Sequence, residues 1–566
     1  MSYCRPQNSS NDLRDLKSLV SEFSNFIPKY DNRLICPVES LKRGYGLIKC
    51  HRLNNPVRPI ISGLNSLTSG CETYLLNLVK PILSECNFVI NSTREFNKKF
   101  CKIKEKFDAE KYEIASFDAS SLFTSINVKR TINFIIRKIY ANANKFFPIT
   151  PETPKPPPKL LLRTFFTDVL LKYNAFETLG GFYRQKSGVS MGGKLSCAMT
   201  NIFVHILEEQ IIQKYIKKRV ILSYMRYVDD CFLVVKKGHK AKILREMNNF
   251  DKNLNWTMEN MENNKLIYLD TQVVLEDSEI NLYQYRKPNN SQVLINYKYG
   301  ISPKCYKTGL ISGEVFRAKN CTSSEKALDE ALVNLENIFV KNLYPRKIVK
   351  QKIREIRGRD FGPNPNKEKQ ASEKNNSNIK HVTISMAYTS FRCSVIASNI
   401  HKIIKKYTPN FKLRIAFSTI KLSSVILPTL KPRIPELYTT NLVYRFTCDC
   451  SSTYIGHTKK YFEKRILQHR TDSKSHINKH IANCHLYQEN ISENYGIEPN
   501  GAAKREYIKS HFSILEKNLY NYHSRVTYEG LMITLHNPDL NKQVYHKSMT
   551  FVCECANFKI ENTVGT

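Results

Sequence analysis

The sequence predicts an α+β chain of several domains, and three observations carry that reading. At 566 residues there is room for two to four domains with cores of their own. Up to about residue 360, strand-like apolar runs and amphipathic helical runs follow one another with no internal repeat. A polar Asn/Lys/Pro-rich stretch at 361–380 then separates this region from a second mixed one, and reads as a linker. Composition narrows the function. The chain has 87 Lys and Arg against 50 Asp and Glu, a formal charge of +37, which suits a polyanionic partner, nucleic acid ahead of an anionic membrane surface. Its 29 Phe and 31 Tyr supply stacking surfaces as well as core. No apolar run approaches the roughly eighteen residues that would span a bilayer, and Met1 to Leu13 carries no signal-peptide core. The 16 Cys are scattered, as expected of reduced thiols in an intracellular protein, apart from any that bind metal.

Taken in order, residues 1–40 read as a polar, uninformative segment. Lys42 to His51 is basic, and in Val57-Arg58-Pro59-Ile60-Ile61-Ser62 the proline holds Arg58 in an extended conformation, where it could grip phosphate. Ile114 to Asp118 reads as a strand ending in a carboxylate, followed by a turn and a helical run at 129–142. Six prolines between 148 and 158 make a stiff insert. Gly188-Val189-Ser190-Met191-Gly192-Gly193 permits close backbone approach to a ligand. It leads into an amphipathic helix with Leu195, Met199, Ile202, Phe203, Ile206 and Leu207 on one face. Tyr224 to Val235 reads as strand, tight turn, strand. Its adjacent Asp229 and Asp230 repel each other in a half-buried sheet and make sense if a divalent cation neutralises them. Ile267 to Asp270 and Leu282 to Arg286 read as strands, and 302–345 as helices. Between Lys341 and Asp360, eight basic residues stand against two acids, a stripe able to track a phosphate backbone. A strand–helix–strand connector is expected at 381–435. In the last region Leu442 to Phe446 and Thr453 to Gly456 read as strands around the Cys448-Asp449-Cys450 turn. A helix then places Arg465 and His469 four residues apart on one face, and Tyr528 to Ile533 reads as helix, with Pro538 to Asn541 as its exit.

These motifs, in this order, resemble the reverse transcriptases of Penelope-like retroelements, relatives of telomerase. Arg58-Pro59-Ile60-Ile61-Ser62 looks like the fingers motif, Ser116-Phe117-Asp118 with Phe123 like palm motif A, Gly188 to Ser196 like motif B, and Tyr227-Val228-Asp229-Asp230 like motif C. The resemblance implies a right-hand polymerase, with fingers and palm over 41–290 and a thumb-like helical region over 291–360. It implies Asp118, Asp229 and Asp230 as ligands of Mg2+ or Mn2+, Arg58 as the triphosphate clamp, Gly188 against the nascent base pair, and Phe123 as the group that excludes a ribose 2′-hydroxyl. Residues 436–566 resemble the GIY-YIG endonuclease that follows the polymerase in these elements. There Tyr444, Tyr454, Arg465, His469, Glu529 and Asn541 take the catalytic places, with Glu529 holding one metal ion. Two departures stand out: Leu442-Val443-Tyr444 keeps the tyrosine of the first triplet but not the glycine, and a single residue separates Cys448 from Cys450. With His480 and His485 these cysteines form the implied structural zinc site, for which Cys484 or Cys553 and Cys555 could substitute.

The implied partners are template RNA, primer and target DNA and dNTPs, in the nucleus and away from membranes, with no oligomeric state indicated. Part of the fingers is expected to be lacking, as in a truncated copy. The alternative is a domesticated or decayed copy that binds nucleic acid without catalysis. A telomere-maintenance polymerase is disfavoured by the nuclease.

Overall fold

The computed structural model describes residues 3–4, 9–26, 34, 41–49, 55–64, 66–147, 155–178, 181–298, 301–359, 380–407, 411–419, 436–496, 498–520 and 522–541. The expected linker up to residue 379, the first prolines of the insert and the Cys553–Cys555 pair lie outside these residues. The chain divides into two compact units, one of Met1–Leu34, Arg43–Leu64 and Thr68–Leu430, the other of Ile35–Lys42, Asn65–Leu67 and Lys431–Thr566.

The first unit holds a five-stranded sheet of β1 (Tyr3–Cys4), β2 (Lys42–Ile48), β3 (Val57–Ser62), β5 (Ala175–Thr178) and β6 (Gly181–Gln185), in the order β1-β6-β5-β2-β3. Its central sheet is antiparallel: β4 (Tyr112–Ser120), β7 (Ile221–Tyr227), β8 (Asp230–Lys236) and β9 (Asn255–Asn260), ordered β7-β8-β4-β9. Cys231, Phe232, Leu233, Val234 and Val235 are all fully buried, so both faces of β8 are covered and the strand needs no polar alternation. On one face Phe232 and Val234 pack with Phe96 and Phe100 from the helix Thr93–Lys104. The same core takes in residues of β10 (Lys265–Tyr268), β11 (Thr271–Glu276) and β12 (Glu279–Gln284).

Two strand ends differ from expectation. Leu269 turns out of β10 with φ 55°, which leaves Asp270 in the turn, and β12 stops at Gln284 instead of continuing to Arg286. The N-terminal segment is not featureless either. The helix Ser9–Ser24 buries Leu16, Val20 and Phe23, and Phe23 stacks on Phe165 at 4.3 Å. Three apolar residues spaced four and three apart suffice for a narrow stripe, which the surrounding polar residues hide in composition.

Helices Lys304–Cys321, Glu325–Lys341 and Arg346–Arg357 close on Ile311, Val315, Leu335, Phe339 and Val349. The last of them is basic, but Arg346 and Lys350 pair with Glu336, Lys352 with Glu355, and Arg357 with Glu325 and Asp329. Four of the eight basic residues of the expected phosphate-tracking stripe are therefore paired with acids of the same unit. The connector forms β13 (Lys380–Ala387) and β14 (Phe411–Ser418), parallel and joined by the helix Phe391–Tyr407.

The second unit is built on β15 (Leu442–Thr447), β16 (Thr453–Thr458) and β17 (Phe512–Glu516), antiparallel in the order β16-β15-β17. Leu442, Tyr444 and Phe446, alternate residues of β15, join Phe462, Ile466, Ile508 and Phe512 in its core. Among the described residues of the whole chain, no helix is long and apolar enough to cross a membrane.

Candidate functional site

The antiparallel register sets Asp118 on β4 directly opposite Asp230 on β8, with Asp229 in the two-residue turn between β7 and β8. The backbone N–H of Ala119 donates to the Asp229 carbonyl at 3.3 Å, which ties the turn to the end of β4. Three carboxylates thus converge in a half-buried place where like charges oppose one another. Burial, then Asp229, Asp118 and Glu259, push the Asp230 carboxyl up to about 7, against the opposing pull of Lys287. Burial and Asp118 also raise Asp229, while Arg58 and Lys49 hold it down. A carboxylate cluster this crowded fits a divalent cation pair, which would supply the missing counter-charge. Val228 adopts φ 58°, a conformation that costs a β-branched residue roughly 1–3 kcal/mol.

The neighbouring loops close around these acids. Gly188 has φ 65°, and a Cβ there would fall on the Phe123 carbonyl and within 2.5 Å of the Thr124 backbone; only glycine fits. Val189 N–H donates to the same carbonyl at 2.7 Å, so the glycine loop is docked on the turn that carries Phe123. On its other side Ile61 N–H donates to Met191 O at 2.7 Å, which joins the loop to β3 and hence to exposed Arg58. Glu72, which sequence reasoning passed over, is buried beneath the loop. Its Oε2 accepts from Lys194 N–H at 2.8 Å, and Thr68 Oγ1 donates to its Oε1 at 2.9 Å. Nothing local distinguishes it from any acid in the first turn of a helix.

In the second unit Tyr444 lies opposite Gly456 on β16, and a Cβ at Gly456 would approach the Tyr444 hydroxyl to 2.6 Å and the Tyr454 ring to 2.8 Å. Arg465 Nε donates to the Tyr444 oxygen at 2.9 Å, so the phenol proton is left to point at His469 Nε2, 2.6 Å away. His469 Nδ1 lies 2.7 Å from Ser475 Oγ. Burial, then Arg465, pull the His469 imidazole down to about 3, which keeps it neutral and able to accept. Tyr454, Arg465 and His469 line a cleft of about 560 Å³ whose rim carries Lys460 and Lys474, whereas Tyr444 is fully buried behind it. Glu529 accepts from His457 N–H at 3.0 Å through one oxygen, and its other oxygen lies 2.5 Å from His457 Nδ1. The Asn541 side chain pairs with both backbone groups of Ile455 at 2.8 Å and so acts as a clamp on β16.

Cys448, Cys450, His480 and Cys484 bring one ligand atom each within 4.8 Å of one another. Cys448 and Cys484 sulfurs are 3.7 Å apart and Cys450 Sγ is 3.2 Å from His480 Nε2, close to the edges of about 3.6–3.8 Å of a tetrahedral zinc site. The cluster is compatible with Zn2+. His485 is not part of it: its side chain is 90% exposed and pairs with Glu489. His480 lies in the last turn of the helix His476–Asn483, Cys484 is the extended residue that ends it, and His485 opens the next helix, His485–Tyr495. Asp449 secures the short cysteine turn by accepting from Tyr507 OH at 3.0 Å, with His511 Nε2 at 3.0 Å from the same oxygen. Metal analysis of the full chain is expected to find one zinc per molecule. Cys484→Ser should lose the metal and the thermal transition of the second unit, and His485→Ala should keep both. Zinc retained by Cys484→Ser would refute this ligand set.

Among domain families, the animal helix-turn-helix domain matches residues 302–354, which cover the helices Lys304–Cys321 and Glu325–Lys341 and most of Arg346–Arg357. No curated protein matches the chain. Among solved structures it is similar to telomerase from Candida albicans in complex with a TWJ fragment of telomeric RNA, at 14% identity and TM-score 0.38, covering 64% of this chain and 61% of that one. It is similar also to apo telomerase from Candida tropicalis, at 13% identity and TM-score 0.34, covering 65% and 68%. A third is the Sicinivirus 3Dpol RNA-dependent RNA polymerase, at 11% and 0.37, covering 60% and 71%. The chain spans about three fifths of the length of the Candida albicans telomerase.

Proposed function

We propose that the chain is an RNA-directed DNA polymerase of a Penelope-like retroelement, with a C-terminal GIY-YIG endonuclease that nicks target DNA to prime synthesis. The observation that carries this reading is the convergence of Asp118, Asp229 and Asp230 at the ends of paired strands, with the charges of Arg58 and Lys49 acting on Asp229. A divalent pair bound there would supply the charge that lowers the pKa of a primer 3′-hydroxyl and steadies a triphosphate. Asp118, Asp229 and Asp230 are the carboxylates that would hold it. Arg58 clamps the triphosphate, Phe123 stands beside the sugar, and the Gly188 loop lies against the nascent pair.

In the second unit, the cleft with Tyr454 and Arg465 on its wall and basic side chains at its rim suits a DNA phosphate. Tyr454 faces the scissile group and the attacking water, Arg465 stabilises charge on the phosphate, and the hydrogen-bonded Tyr444–His469 pair, buried behind them, orients the Arg465 guanidinium. Glu529, held by His457, would provide the carboxylate for a metal ion. The purified full chain is expected to extend a DNA primer on an RNA template with dNTPs in Mg2+ or Mn2+, and to nick duplex DNA. Nucleic-acid binding without incorporation in either ion would overturn the reading in favour of a non-catalytic copy.

A further inference from the structure

We infer that the buried ion pair between Arg226 and Glu208 is a positioning device that holds the Val228–Asp229 turn, with Val228 in its left-handed conformation, and couples it to the helix behind the glycine loop. The inference rests on the polymerase reading above.

Arg226 is 0% exposed and its guanidinium is spent on five contacts. Nε donates to Glu208 Oε1 at 2.6 Å and Nη2 to Glu208 Oε2 at 3.2 Å, a two-pronged pair. Nη1 donates to Asn201 Oδ1 at 2.9 Å and to the Val228 carbonyl at 3.0 Å, and Nη2 reaches Asn201 O at 3.4 Å. Burying two charges is a poor route to stability, because desolvation consumes most of the attraction between them. The pair makes sense through what it touches. The Val228 carbonyl belongs to the peptide that joins Val228 to Asp229, and its direction sets where the Asp229 carboxylate points. Val228 at φ 58° would leave that conformation if nothing held it. Glu208 and Asn201 both come from one helical stretch, Ser196–Leu207, which widens into a π turn at Glu208–Ile212. One guanidinium therefore fixes the carboxylate turn to the helix that begins at the glycine loop. Lysine could keep the charge but not this fork of contacts.

The test is a double-mutant cycle of Arg226→Lys and Val228→Gly in the full chain, read as the Mg2+ concentration for half-maximal primer extension, kcat and KM for dNTP, and melting temperature. On the wild-type background Arg226→Lys should raise the Mg2+ requirement about tenfold or more, the scale on which groups that orient metal ligands act. On the Val228→Gly background, where the left-handed turn no longer strains the backbone, the same change should raise it less than about threefold. If Arg226→Lys does not fold, Asn201→Ala, which removes one partner of Nη1 and leaves the ion pair, should still raise the Mg2+ requirement. A lower melting temperature with an unchanged Mg2+ requirement would reduce the pair to a structural role, and equal effects on both backgrounds would sever it from Val228. Absence of extension by the wild-type chain would instead remove the polymerase reading itself.

Discussion

Asp229→Asn is expected to reduce dNTP incorporation by about 10²–10³, the scale on which the loss of one preorganised charge slows an enzyme, while RNA binding stays intact. An amide preserves the shape of the turn and loses the charge that holds the metal. A second measurement separates this from misfolding. Asp229 is raised by burial and by Asp118, so its ionised form is strained in the metal-free protein. The variant should therefore melt no lower than the wild type without Mg2+, and gain less from added Mg2+. Primer extension at near-normal rate would remove Asp229 from the catalytic centre. A lower metal-free melting temperature would show that the carboxylate is instead a structural hydrogen-bonding group.

Glu529→Gln is the second large effect. Both carboxylate oxygens meet His457, one at its backbone N–H and one at its ring, so the group is already oriented and glutamine retains a single acceptor. Nicking of duplex DNA should fall by about two orders of magnitude or more, while extension from a supplied 3′ end should be unaltered. Nicking at a near-normal rate would place the ion elsewhere, and Glu516, paired with Val443 across β15 and β17, is the first group to test next. Loss of both activities would mean that the two units do not act separately.

The sequence by itself determined what depends on near neighbours along the chain. Pro59 dictates the extended Arg58, the continuous apolar run Phe232 to Val235 dictates a strand covered on both faces, and Asp229-Asp230 at a two-residue turn announces crowded charge. The helix Phe462–Thr471 sets Arg465 and His469 on one face, as their spacing of four requires once a helix forms. Tertiary structure alone decided which distant groups meet. Arg226 stands inside the most informative stretch of the chain, yet its partner Glu208 is eighteen residues away and looks like any surface acid. Glu72 is indistinguishable in sequence from a helix N-terminal charge until the glycine loop is folded onto it. The fourth metal-binding position turned on one residue. Cys484, the extended residue at which the helix His476–Asn483 stops, meets the cluster, whereas His485 opens the next helix with its side chain exposed. Local patterns fix backbone conformation because sterics and burial act over a few residues. Partners for buried charge are settled only when desolvation in the folded core makes an unpaired group too costly to keep.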